Sequence, residues 1–150
     1  MRIWVDADAC PREVKEIIFR AAERRGIPTV LVANGPMFVP RSARISAVRV
    51  PKGPDVADSY ILLESEPGDV AVTADIPLAA ELVQKGLAVI DPRGALYSEE
   101  NVRERLSTRD FMQHLRDSGV ETDGPKPFDE RAKREFANRF DTVLSRALLR

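Results

Sequence analysis

The sequence predicts an α/β fold with a central, mainly parallel sheet of about five strands and helices on both faces. Three observations carry this expectation. Short apolar runs rich in β-formers alternate with segments of helical periodicity. Gly or Pro marks most of the changeovers. The runs read as continuously apolar, as strands buried on both faces do.

The first strand covers Ile3–Ala7. Pro11 suits the start of a helix, and Val14, Ile17, Ile18, Ala21 and Ala22 recur at helical spacing until Gly26 stops it. Thr29–Ala33 is the second strand, and Asn34-Gly35-Pro36 opens a loop running to Pro40. Ile45–Val50 is the third strand, closed by Pro51 and Gly53. Asp55–Glu64 reads as a helix, Val70–Ala74 as the fourth strand, Leu78–Lys85 as a short helix behind Pro77, and Leu87–Ile90 as the fifth strand. Two helical pieces follow, Glu99–Leu106 and Thr108–Asp117, with Ser107 as N-cap of the second and Asp110 three residues on. The turn formers of 119–127 read as a linker between a body at 1–118 and a C-terminal segment at 128–150. In that segment Asp129–Leu148 is an amphipathic helix, suited to pack on the body or on a second copy of the chain.

Composition narrows the function classes. The chain has 150 residues, 43% hydrophobic and 31% charged, which excludes a disordered polymer. No apolar run is long enough to span a membrane, and no signal peptide is visible, so a cytoplasmic location is expected. The net charge of −1 gives no global basic field. One Cys and one His exclude a disulfide framework, a multi-thiolate zinc site and a multi-His metal site. Cys10 near a helix start could be a nucleophile, but a structural role is the stronger reading. His114 falls on a polar helix face, and Trp4 and Phe19 read as core.

Ligands of an open parallel sheet sit beyond the carboxyl ends of its strands. Strand one ends in Asp6-Ala7-Asp8, strand four in Thr73-Ala74-Asp75 and strand five in Asp91, while the helix after strand three opens with Asp55 and Asp58. Four segments thus direct carboxylates to one edge. Such groups repel, and a hard divalent ion, Mg²⁺ or Mn²⁺, relieves the repulsion. Each residue also has a plainer role. Asp8 and Asp75 precede helices as caps do, and Asp55 and Asp58 suit a first helical turn. Asp-Pro at 91 is an ordinary turn signal. Asp6 is the strongest member, since nothing local explains a carboxylate ending an apolar strand.

Ile-Trp-Val-Asp-Ala-Asp-Ala-Cys-Pro at 3–11 resembles the opening of the YaiI/YqxD family of uncharacterised bacterial proteins. Phe-Arg-Ala-Ala-Glu-Arg at 19–24, Val-Ala-Asn at 32–34, Asp-Val-Ala-Asp at 55–58 and Thr-Ala-Asp-Ile-Pro-Leu-Ala-Ala at 73–80 continue the resemblance. Asp-Pro-Arg-Gly at 91–94 and Arg-Glu-Arg-Leu-Ser-Thr-Arg-Asp-Phe-Met at 103–112 extend it, so that it covers residues 1–119. It implies a PIN-like, three-layer domain similar to metal-dependent ribonucleases. By that resemblance Asp6, Asp8, Asp58 and Asp75 are the catalytic candidates. With Asp55 they are also the candidate ligands of Mg²⁺ or Mn²⁺. The nucleases usually carry Glu where Asp55 or Asp58 stands, one methylene longer.

Arg41, Arg44, Arg49 and Lys52 lie between Asn34 and Pro54 with no acid among them. Such cations suit a phosphate backbone, or a solvated loop. The nucleic-acid candidates are Arg41, Arg44 and Arg49, joined by Arg93 and Arg109. The leading expectation is a metal-dependent phosphodiesterase acting on single-stranded RNA. Val-Asp-Ala-Asp also resembles the first motif of haloacid-dehalogenase-like phosphatases, with Asp6 as nucleophile, Asp8 as general acid, and Thr73, Lys85 and Asp91 as the further members. A non-enzymatic RNA- or protein-binding module with a degenerate metal site is the third reading.

Overall fold

The structure, a computed structural model, describes residues 1–122 and 127–149. Its elements are β1 (Ile3–Asp6), α1 (Arg12–Arg25), β2 (Thr29–Ala33), β3 (Ile45–Arg49), α2 (Val56–Glu64), β4 (Val70–Val72), α3 (Ile76–Lys85), β5 (Ala88–Ile90), β6 (Leu96–Tyr97), α4 (Glu99–Asp117) and α5 (Glu130–Leu148). The strands form one sheet in the order β3-β2-β1-β4-β5-β6. All neighbours are parallel except β5 and β6. The α/β expectation therefore holds, and the layering is consistent with a PIN-like three-layer fold. The chain winds outward from β1 through β2 to β3, then returns to the other side of β1 and winds through β4 to β6. The reversal falls between β1 and β4.

The period-2 alternation of β1 divides the core in two. Ile3 and Val5 face α1 and α5, where they meet Val14, Ile18, Phe136, Phe140 and Leu144. Trp4 faces the other way, with Val32, Ala71 and Val89, toward Ile61 of α2 and Leu78 and Leu82 of α3. Asp6 follows Trp4 in this alternation, so its side chain points to the α2/α3 face. The N-terminal segment thus fixes which layer receives the carboxylate.

Three elements differ from the sequence expectation. α4 is one helix, not two, and Ser107 lies inside it. Its cap is Ser98, whose side chain accepts from Asn101 N–H while the Asn101 side chain accepts from Ser98 N–H. Ser107 followed by Asp110 imitates such a box, but no Gly or Pro interrupts the helix there. A sixth strand exists, the two-residue β6, too short to leave a periodic signal. Pro11 caps α1 instead of occupying its first turn, with no side-chain cap bond. The expected linker at 119–127 falls partly on 123–126, outside the described residues.

α5 packs within the chain. Phe136 and Phe140 are buried and stack with centroids 5.1 Å apart. The face expected to serve either the body or a second copy is occupied by the body. Gly94, in the turn between β5 and β6, has φ +94°, and a Cβ there would lie 2.9 Å from the backbone of Glu135. The missing side chain of Gly94 lets that turn approach the backbone of α5.

Because Phe136 is wholly buried in this contact, Phe136→Ala is expected to cost about 3–5 kcal/mol. Urea unfolding monitored by circular dichroism measures it. A loss below about 1 kcal/mol would show that α5 is not part of the core.

Candidate functional site

Asp6 ends β1 and is 8% exposed. The register pairs Val5 with Val72, which sets Thr73 beside it. Thr73 Oγ1 donates to Asp6 Oδ2 at 2.9 Å and accepts from the Asp75 N–H at 3.0 Å. One hydroxyl therefore ties the end of β1 to the start of α3. Asp75 in turn caps α3, its Oδ1 accepting from Leu78 N–H at 2.9 Å. The capping role and the cleft position coexist in this residue.

Asp58 stands in the first turn of α2, half-buried. Its carboxyl is pushed up to about 7, first by burial, then by the charges of Asp75 and Asp6, a hydrogen bond with Asp75, and the charge of Asp55. The Asp6 carboxyl is also raised, mainly by burial and further by Asp75 and Asp8, with the Thr73 bond pulling it back. Asp6, Asp58 and Asp75 thus sense one another across the reversal. Asp8 is exposed at the margin, where its Oδ2 accepts from Asn34 N–H at 3.0 Å. Asp55 is exposed as N-cap of α2 with φ 61° and makes no side-chain cap bond. Among the described residues no three His, Cys, Asp or Glu side chains are gathered into a metal-holding group.

A second cluster borders the cleft. Asp91 Oδ1 accepts from the backbone N–H of Arg93 at 2.8 Å and of Ala95 at 3.0 Å, which is turn chemistry. Its Oδ2 binds Arg105 Nη2 at 3.1 Å. The Arg105 guanidinium lies 4.2 Å from the centroid of Tyr97. The Tyr97 hydroxyl donates to the Thr73 carbonyl at 3.4 Å, and burial raises its pKa to about 12, so it stays a neutral donor. Asp91 is therefore an anchor for the wall and not a member of the acidic trio.

The candidate cations do not form one patch. The Arg44 carbonyl accepts from Thr29 N–H, and its guanidinium lies against Gly26 at the end of α1, on the sheet edge opposite the acids. Arg41 immediately precedes Ser42, which donates to Glu23 on α1. Arg49 ends β3 at the acidic edge. Arg109 is exposed and pairs with Asp110 at 3.2 Å; Arg93 is exposed beside Asp91. Arg105, one helical turn before Arg109, is the arginine of α4 that reaches the cleft wall. Lys85 donates to the Leu62 carbonyl at 2.6 Å from the last turn of α3, about 15 Å along the helix from Asp75. That removes the lysine the phosphatase reading needs. Cys10 is buried, and burial pushes its thiol up to about 12, so it is no thiolate nucleophile. His114 is exposed near the end of α4.

The sequence expectation gave no site role to Asn34, Tyr97 or Arg105, and gave one to Thr73 only in the phosphatase reading. The usable signal was strand order: once β1 and β4 are neighbours, Thr73 must adjoin Asp6.

The fold and the cleft define an α/β protein with an acidic crevice at a sheet reversal. The family described as "Uncharacterized BCR, YaiI/YqxD family" matches residues 4–146, and the chain belongs to it. It is 54% identical to a UPF0178 protein of Syntrophobacter fumaroxidans over 97% of this chain and 95% of that one. A UPF0178 protein of Aliivibrio fischeri is 52% identical over 98% and 99% of the two chains. One from Myxococcus xanthus is 54% identical over 97% and 95%. No solved structure matches the chain.

Two expectations follow from the electrostatics. A carboxyl raised from 3.8 to about 7 keeps its proton longer folded than unfolded, so it lowers stability as pH rises between those values. Asp58→Asn should therefore gain melting temperature relative to wild type from about pH 4 upward and level off above pH 7, measured in chelator. A difference independent of pH would refute the shared charge. Thr73→Val keeps the shape but leaves Asp6 and the Asp75 N–H without their partner. It should lose about 1–3 kcal/mol in urea unfolding, and a neutral result would remove the hydroxyl from its linking role.

Proposed function

We propose that the protein is a divalent-cation-dependent phosphodiesterase acting on single-stranded RNA. The observation that carries this reading is the convergence of Asp6, Asp58 and Asp75 where the sheet reverses, the position at which open α/β sheets bind ligands. The PIN-like character that the sequence resemblance implies, with which the three-layer fold is consistent, accords with it. A cytoplasmic location accords with the reading, and among the described residues no helix is long and apolar enough to cross a membrane.

The donor set is all oxygen, which suits Mg²⁺ or Mn²⁺ and not zinc. Thr73 and the α3 cap each engage one oxygen of Asp6 and of Asp75, and a carboxylate has a second. Two carboxylates with retained waters are a common Mg²⁺ arrangement, so a three-acid cage is not required. A bound ion would neutralise the crevice and lower the pKa of water. The chain's own residues do the rest. Asp6 and Asp75 would hold such an ion, Asp58 beside them would lose its proton to the added positive charge, and Thr73 ties Asp6 to the Asp75 backbone.

Saturating Mn²⁺, at about a hundredfold excess over Kd, should raise the melting temperature by roughly 5–10 °C. The shift should vanish in Asp6→Asn and Asp75→Asn, and both variants should lose Mn²⁺-dependent cleavage of an unstructured RNA. Equal metal shifts in all three proteins would place the ion elsewhere. Metal shifts without cleavage of any single strand would leave a binding module.

A further inference from the structure

The connection between β2 and β3, residues 34–44, carries an aromatic ring that the cleft does not use. Phe38 is 80% exposed. Its neighbours are not: Met37 and Val39 pack against the core beneath α1 and α5. The alternation Met37 in, Phe38 out, Val39 in therefore holds the ring in solvent by pinning the residue on each side. Pro36 and Pro40 bracket the three and reduce the backbone freedom to withdraw it. An apolar ring displayed this firmly is organised before any ligand arrives, which lowers the ordering cost of binding.

The connection is also tied to the cleft. It leaves β2 at Asn34, whose N–H binds Asp8, and Phe38 lies four residues on, within about 14 Å of chain reach. It contains Arg41 and Arg44 and no acid. Arg41 and Arg49 have no ion-pair partner among the described residues. An aromatic face on a connection that carries cations and no acid is what a single-stranded nucleic acid requires, one surface for bases and one charge for phosphates. A duplex offers no free base face.

We propose that Phe38 is a base-stacking residue, taking an unpaired nucleobase of a single strand that leaves the acidic cleft along the β2–β3 connection. This rests on the RNA reading for its substrate class and assigns the site a preference for unpaired substrate.

Binding of an unstructured RNA 12-mer is measured in chelator at low salt, so that no cleavage enters. Phe38→Ala should weaken it about 5- to 150-fold, the value of one base on one ring. Phe38→Trp should restore it, with indole fluorescence quenched on binding, whereas Phe38→Leu should not, because it is apolar without a π-face. Melting temperatures should stay at the wild-type value, since the ring is exposed. An abasic backbone should bind all four proteins equally weakly. Unchanged affinity in Phe38→Ala overturns the proposal and leaves the ring for a protein partner. Duplex bound as tightly as single strand also overturns it, as does an absence of RNA binding. Cleavage unaffected by Phe38 would sink this inference alone; a Phe38-dependent affinity without cleavage would sink the nuclease reading alone.

Discussion

The hydroxyl of Thr73 is the constraint on which the cleft depends. Where a parallel sheet reverses its winding, the connections on the two sides depart in opposite directions and leave a crevice that no backbone fills. Asp6 stands on one side and Asp75 on the other. Left alone, two carboxylates there would separate or take up a proton. Thr73 donates to one and accepts from the backbone of the other, so the distance between the two segments is set by a neutral group. Tyr97 secures the same residue from behind through its carbonyl, and Arg105 and Asp91 secure Tyr97. The acids are thus held by a scaffold that carries no net charge at its contact with them.

Asp69 makes an instructive contrast with Asp6. Both are buried carboxylates. Asp69 lies at the opposite edge and accepts from the Arg2 N–H, the Trp4 indole and the Glu66 N–H. Three donors satisfy it, and it serves to close the start of β1 against the turn before β4. Asp6 has one donor and three acidic neighbours. Similar burial thus accompanies very different hydrogen bonding in the two carboxylates.

Much of this was legible in the chain because local patterning and layer assignment coincide. The apolar runs gave five of the strands, and the strand-end acids gave the edge where the crevice opens. What stayed hidden depended on paths through space. The route of the β2–β3 connection carries Arg44 to the sheet edge opposite the acids, and no local signal encodes it. The choice of Arg105 over Arg109 depends on the rotation of α4 against Tyr97, which sits on a strand of two residues. Ser107 misled because a helix exposed along most of its length tolerates a cap-like pair in its interior. Asp58 looked like dipole chemistry, and its coupling to Asp75 exists only once α2 and α3 lie side by side.

The position of β1 has a consequence during synthesis. Its partner β2 emerges from the ribosome soon after it, but β4 follows some 67 residues behind the residue it must join. In that interval Ile3, Trp4 and Val5 offer an open strand edge, the kind that recruits other chains. Arg2 and Asp6 are the charges at the two ends of that edge. The carboxylate that lies beside Thr73 in the finished fold thus first serves, with Arg2, as one of two charges bounding an apolar edge until its partner has been made.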